Sequence, residues 1–391
     1  MRSLSGKAGY FLLEGLNSFA TAYYFNYLLF LLRDTYGFSN LHNLLIGALH
    51  GLIYIPASLY AGRFGQRRGN FLSLRIGFAG MVLGILVGWC LPVLWGQLLA
   101  LMIWTVTLCF TWPMLEALVS ENEPPDRLPH RVGLYNVVWA ATAALGYSSG
   151  GWIFKHLGGS SLYWLPIFIH GVQWCLTWPL ARLHTTFRAE SSTGGERLQD
   201  SPASDSLRPH FQRLAWLANP FNYMAINTIV AMAPGLAQKV GLGLTEAGLV
   251  FSLWFYIRAF AFLKLWLWPG WHYRFGWFLT GLVGLLVSYL VLLTATSIPL
   301  LLLSQIGFGW CSALLYYSSL YYAMDGSQSH SEHGGIHEAL IGVGICGGPA
   351  LSSAAQWLTG SPMAPAWAVA GVLAAAVGWV CHLHHRAKSG S

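Results

Sequence analysis

The sequence predicts an all-α integral membrane protein of twelve transmembrane helices in two six-helix halves, with both termini cytoplasmic. Three observations predict it. The 391 residues are 55% hydrophobic and only 9% charged, with a mean hydropathy of +0.51. A soluble domain carries about 25% charged residues, so this chain has too few to face water on every side. Its apolar residues gather in runs of about 20, the length that crosses a bilayer as a helix with its own backbone hydrogen bonds. Its cations concentrate in alternate connecting stretches, as in a chain threaded back and forth with arginine and lysine kept inside.

The predicted spans of the first half are 9–32, 41–61, 71–90, 92–119, 134–154 and 162–183, and those of the second are 214–237, 247–266, 275–296, 298–324, 335–358 and 363–382. The short basic start and the apolar run after it resemble a signal peptide. That run continues to Leu32, is interrupted by Glu14, Asn17 and Asn26, and shows no small-x-small cleavage site, so it reads as an uncleaved first helix. Between the sixth and seventh spans lies one long polar stretch, 184–213, rich in Ser, Pro, Gly, Asp and Arg, which reads as a solvated linker. The domains are therefore 1–183, a cytoplasmic linker 184–213, and 214–391.

Charge placement supports this map. Fifteen of the 21 Lys and Arg fall in the inner loops and tails, three (Arg33, Lys155, Lys239) in outer loops, and three (Arg75, Arg258, Lys264) within spans. Topology thus explains the net charge of +7 better than nucleic-acid binding does. The six cysteines form no C-x-x-C pair, which excludes a recognisable disulfide framework or zinc ribbon. No Walker loop is present, so ATP-driven transport has no support, and no cofactor is expected.

The halves echo each other. Arg131-Val-Gly-Leu-Tyr-Asn136 parallels His333-Gly-Gly-Ile-His-Glu338 at an offset of 202, and Gly146–Gly151 meets Gly348–Ser353 at the same offset. The turn between the second and third spans, Gly62-Arg63-Phe64-Gly65-Gln66-Arg67-Arg68, is similar to the D-R-x-G-R-R loop of the major facilitator superfamily. Arg63, Gly65 and Arg67 match, Gln66 replaces a basic residue, and Gly62 stands where the aspartate belongs. Gly344 and Gly348-Pro349 resemble the G-x-x-x-G-P element of the same family, here in the eleventh span; the fifth span has Tyr147 in place of the proline. With the parallel repeats, the chain resembles that superfamily over essentially its whole length. The resemblance implies two halves rocking about a central cavity lined by the first, fourth, seventh and tenth helices.

Polar groups within spans are costly and each needs a partner or a purpose. Glu14, Asn17, Thr21 and Tyr24 share a helical face of the first span. On a helix the family uses to line its cavity, they read as substrate contacts, with Glu14 the carboxyl that takes up and releases a proton as the cavity changes sides. The other reading of Glu14 is a structural pair with a gate arginine. Arg258, deep in the eighth span, reads as an ion pair to a membrane carboxylate ahead of direct contact with an anionic substrate group, and joins Glu14 as a coupling residue. Arg75 and Lys264 lie near span ends, where snorkelling explains them. Asn222, Tyr223 and Asn227 of the seventh span, with Gln305, Ser312 and Tyr316 of the tenth, are further candidate substrate contacts. Trp112, Trp139 and Trp254 would make the cavity aromatic, able to stack on a sugar face or a flat organic ligand. The resemblance implies that Glu116 and Glu338 belong to a cytoplasmic gate, with Arg63, Arg67 and Arg131 as their mates.

One cluster hints at a metal. His337-Glu338 begins like H-E-x-x-H, but Ile341 stands where the second histidine belongs, so the metalloprotease motif fails and the expected reading is no metal. His50 and His170, within apolar spans, read as hydrogen-bonded packing residues.

Together these features predict a monomeric secondary transporter in the cell (inner) membrane and no enzyme. It would move a small organic solute, first a sugar- or nucleoside-like one, by alternating access, coupled to protons. Efflux of amphiphilic compounds uses the same features. From other classes, a membrane-embedded enzyme would need catalytic residues clustered at one interface, and a non-transporting receptor would bind ligand without flux.

Overall fold

Each apolar run folds as a helix because only a helix or a closed barrel satisfies every backbone group inside lipid. The computed structural model describes residues 2–121, 123, 127–191, 202–324 and 330–389, and among these there is no strand. In chain order the helices are α1 (Arg2–Tyr36), α2 (Asn40–Arg68), α3 (Asn70–Cys90), α4 (Leu94–Leu108), α5 (Trp112–Ser120), α6 (Leu128–Leu157) and α7 (Ser161–Ser191). The second half supplies α8 (Pro202–Lys239), α9 (Leu244–Phe251), α10 (Leu253–Leu267), α11 (Phe275–Thr294), α12 (Ile298–Met324), α13 (His330–Thr359) and α14 (Ala364–Ser389). Since α4 runs into α5 and α9 into α10, these make twelve antiparallel rods. The end bearing the turn between α2 and α3 is called the arginine end below, and the opposite one the far end.

Two rods are broken. Pro113 lacks an N–H and its ring crowds the carbonyl four residues back, so the fourth rod opens at Cys109–Thr111. There Phe110 and Thr111 bond back to the carbonyls of Thr107 and Leu108 in tightened turns of 3.1 and 3.0 Å. The break at Ser252 has no proline; the Ser252 hydroxyl bonds the Leu249 carbonyl at 2.9 Å. These breaks aim Trp112 and Glu116, and Trp254 and Arg258, toward the interior. The stretch expected as linker is helical at both flanks, α7 reaching Ser191 and α8 starting at Pro202, while 192–201 lies outside the described residues.

Large apolar side chains cover the outside, among them Leu52, Leu83, Phe168 and Leu303, each more than half exposed. Exposed tryptophans sit near both ends, Trp95, Trp357 and Trp367 at the far end and Trp268, Trp277 and Trp379 toward the arginine end. That is the surface of a protein in a bilayer with aromatic belts at its interfaces. Among the described residues, eight rods are long and apolar enough to span a membrane. Three of the other four, α1, α6 and α8, line the central cavity, and their inward polar groups lower their hydropathy.

Packing places the cavity. α1 lies against α6 and α7, α3 against α4 and α7, and α11 against α12 and α14. α2 runs along α13, and α6 along α9 and α10. The α2–α13 contact depends on glycine: a Cβ on Gly51 would stand 2.1 Å from the Cys346 backbone nitrogen. Likewise a Cβ on Gly348 would stand 2.2 Å from the Met224 carbonyl oxygen, so the glycine before Pro349 lets α13 lie backbone-close on α8.

Candidate functional site

A cavity of about 160 Å³ lies at the centre, lined by α1, α2, α4, α5, α6, α8, α10, α12 and α13. A water needs about 10–15 Å³ by this measure, so the space holds on the order of ten water-sized positions. Its walls are rich in aromatic side chains, among them Trp104, Trp112, Trp139 and Trp254. Into them project one guanidinium, Arg258, and three carboxyls, Glu14, Glu116 and Glu338.

Arg258 is only 2% exposed. Its guanidinium carbon lies 4.7 Å from the Trp139 ring centroid, 4.9 Å from that of Tyr316, 5.5 Å from Phe262 and 5.7 Å from Tyr223. Ring faces attract a cation, more strongly once it leaves water. Yet Nε and Nη2 make no hydrogen bond. The expected ion pair with a membrane carboxylate does not form among the described residues. The break at Ser252 instead turns Arg258 toward α6 and α12, where rings are its nearest neighbours.

Glu14 is buried against α6. Its carboxylate accepts from the Ser18 hydroxyl at 2.7 Å and from the Tyr135 hydroxyl at 3.0 Å. Glu338 accepts from the Tyr54 hydroxyl of α2. Beside it, His337 Nδ1 stands 3.8 Å from a Glu338 oxygen and 4.0 Å from a Glu116 oxygen. Neither oxygen of Glu116 has a hydrogen-bond partner, nor does either ring nitrogen of His337.

At the arginine end, outside the spans, Glu123 takes two cations of the first half. Arg131 Nε donates to it at 2.8 Å and Lys7 Nζ pairs with it at 2.9 Å. Lys7 also donates to the Val119 and Glu121 carbonyls at 2.8 and 2.7 Å, closing the C-terminal end of α5. Burial pulls the Lys7 ammonium below the usual lysine range, and Glu123 works against that pull.

A sequence profile described as Major Facilitator Superfamily matches residues 10–213, just over half of the chain. The chain belongs to the major facilitator superfamily. No curated protein matches this superfamily transporter in sequence. Among solved structures, the crystal structure of the human organic anion transporter MFSD10 (TETRAN) resembles it with a TM-score of 0.69 at 15% identity, over 96% of this chain and 98% of that one. At that identity the likeness shows the fold.

Within this superfamily fold, the predicted contacts divide. Thr21, Tyr223, Asn227 and Tyr316 line the cavity, as do Glu14, Glu116, Arg258 and Glu338. The inward seam of α1 runs Glu14, Ser18, Thr21, Phe25, and it leaves two predicted residues off the cavity. Asn17 turns to the α4–α5 break, its Nδ2 donating to Thr111 Oγ1 at 3.1 Å, and Tyr24 packs on Trp104 with centroids 5.3 Å apart. Asn222, Gln305 and Ser312 lie behind the wall. Asn222 donates to the Ser312 carbonyl at 3.4 Å, and the Gln305 side-chain oxygen accepts from the Trp254 backbone N–H at 3.3 Å. The predicted gate also divides. Arg131 goes to Glu123 rather than Glu116, and Arg63 and Arg67 are exposed at the end of α2, while Glu116 and Glu338 meet His337. Arg75 snorkels as expected, 3.7 Å over the Trp178 ring. His170 is a packing residue bonded to Gln173 at 2.7 Å. His50 is bonded to Thr105 at 2.8 Å and also lines the cavity. Sequence reasoning missed Tyr54, Tyr135 and Glu123. Tyr54 left a signal, standing four residues after His50 on one face of an apolar helix, and so did Tyr135, which stands opposite His337 in the repeat of the halves.

Proposed function

We propose that the chain is a secondary transporter that carries a small organic anion by alternating access, with protons as the coupling ion. One observation carries the reading: Arg258 is a buried cation among rings, with two unbonded nitrogens and, among the described residues, no carboxylate at ion-pair distance. A charge so placed is costly unless an anion meets it. A carboxylate, sulfonate or phosphate group on the solute supplies the missing hydrogen bonds, and Trp139, Tyr223 and Tyr316 receive its flat or apolar body. An anion thus replaces the neutral sugar- or nucleoside-like solute as the favoured cargo. MFSD10, which shares the fold, is an organic anion transporter, which agrees with this choice.

Glu14 is the proposed proton carrier. It lines the same cavity, and its hydroxyl partners on α1 and α6 can donate to the carboxylate or accept from the carboxylic acid. A proton carried with a monoanion makes the translocating step electrically neutral, which removes a cost of about 2.3 kcal/mol per charge at 100 mV. Twelve spans, cytoplasmic termini and a monomer in the inner cell membrane complete the proposal. The halves 1–183 and 214–391 would rock across the α2–α13 and α6–α9/α10 contacts.

The test is uptake by proteoliposomes of a panel of carboxylated, sulfonated, neutral and cationic solutes, with and without an imposed pH gradient. Accumulation of an anion, enhanced by the gradient, is the expected result. Accumulation of neutral sugars with anions ignored would overturn it.

A further inference from the structure

The sequence reading expects no metal, yet the fold joins Glu116 of α5 to His337 and Glu338 of α13. One ligand atom from each lies within 4.8 Å of the others, and all three residues are buried. We propose that Glu116, His337 and Glu338 bind one first-row divalent metal ion, of the Zn²⁺ type, at the arginine-end wall of the central cavity.

The polar atoms themselves point to a ligand. His337 is fully buried and neither of its ring nitrogens has a hydrogen-bond partner. Both oxygens of Glu116 lack partners as well. The 3.8 and 4.0 Å separations of His337 Nδ1 from the two carboxylates are too long for hydrogen bonds. They come close to the separation of donors sharing one ion, about 3.4 Å for a tetrahedral set with bonds near 2.1 Å. A shift of a few tenths of an ångström closes the two histidine–carboxylate separations, and rotation of the flexible glutamate ends brings together the full set, now within 4.8 Å. Imidazole with two carboxylates is a donor set of catalytic and exchangeable zinc sites, which leave a position open. Here Glu116 and Glu338 both line the cavity, so the open position faces the solute chamber. Tyr54 supplies the outer partner that orients Glu338. Two buried carboxylates with no Lys or Arg in ion-pair contact among the described residues need a positive partner, and a divalent ion neutralises both at once.

The proposal stands apart from the anion reading, and its test needs no transport substrate. Protein purified in detergent and stripped with a chelator is titrated with Co²⁺, followed by visible d–d absorption, and then with Zn²⁺. Expected is one saturating equivalent of Co²⁺ with a visible band, displaced by Zn²⁺, and loss of that band in His337→Ala and Glu116→Gln. Because those variants could misfold, X-ray absorption on the Zn²⁺-loaded wild type is the second measurement. It should show oxygen and nitrogen neighbours with scattering from a single imidazole. Absence of the Co²⁺ band in the wild type, its persistence in well-folded His337→Ala, or scattering from several imidazoles, as from surface histidines, would each overturn the site.

Discussion

The Tyr54 hydroxyl donates to the Glu338 carboxylate and so ties α2 to α13 inside the bundle. The two helices come from opposite halves of the sequence, and in the proposed alternating-access cycle this contact would part as the cavity opens to the arginine end. A hydrogen bond to a charged group contributes about 1.5–3 kcal/mol. Tyr54→Phe and Glu338→Gln should therefore shift the resting population toward that open state. The measurement is labelling of Ser58→Cys, on α2 beside the contact, in a cysteine-free background. Faster labelling from the arginine end is expected, and unchanged labelling would remove the bond from the gate.

Arg258 separates binding from stability. Replacing this buried cation with an apolar side chain of like size relieves its desolvation cost, against which stands only the loss of its ring contacts. Arg258→Met should abolish anion uptake while leaving thermal unfolding unchanged or raised by a few degrees. A marked fall in unfolding temperature would mean that the rings around the guanidinium depend on it for packing.

Glu14→Gln keeps the hydrogen-bonding shape but cannot carry a proton. Exchange of labelled for unlabelled solute should persist, while accumulation driven by a pH gradient is lost. Undiminished uphill uptake by this variant would move proton coupling elsewhere.

Gly51 fixes the approach of α2 to α13. A side chain there meets the Cys346 backbone nitrogen at 2.1 Å, so Gly51→Val forces the helices apart. Overpacking of this kind costs about 1–3 kcal/mol, and a lower unfolding temperature in detergent is expected. Wild-type stability would show that α13 shifts freely along α2.

Most of the fold was legible in the sequence because bilayer physics leaves a long apolar run few options. The break before Pro113 was legible in principle from the proline; that at Ser252 was not, since serine sits comfortably in many helices. The polar flanks of 184–213 continue α7 and α8, and composition alone does not separate a helical extension from a linker. The site was half legible. Polar residues within spans found Glu14, Arg258, Glu116 and Glu338. Spacing on one helix could not tell that Asn17 serves the α4–α5 break, that Arg131 has a nearer acid in Glu123, or that Arg258 faces rings. Nor could it join Glu116 to His337, because that contact exists only once α5 meets α13.

The most direct test of the account is a comparison of one transported carboxylate with its uncharged amide, as competitors of uptake in wild type and Arg258→Gln. Loss of a buried charge-assisted contact costs about 2–5 kcal/mol, or roughly 30-fold and more in affinity. The wild type should prefer the carboxylate by at least about that factor, and Arg258→Gln should lose the preference. Equal competition by acid and amide in the wild type, or a preference that survives in Arg258→Gln, would contradict it.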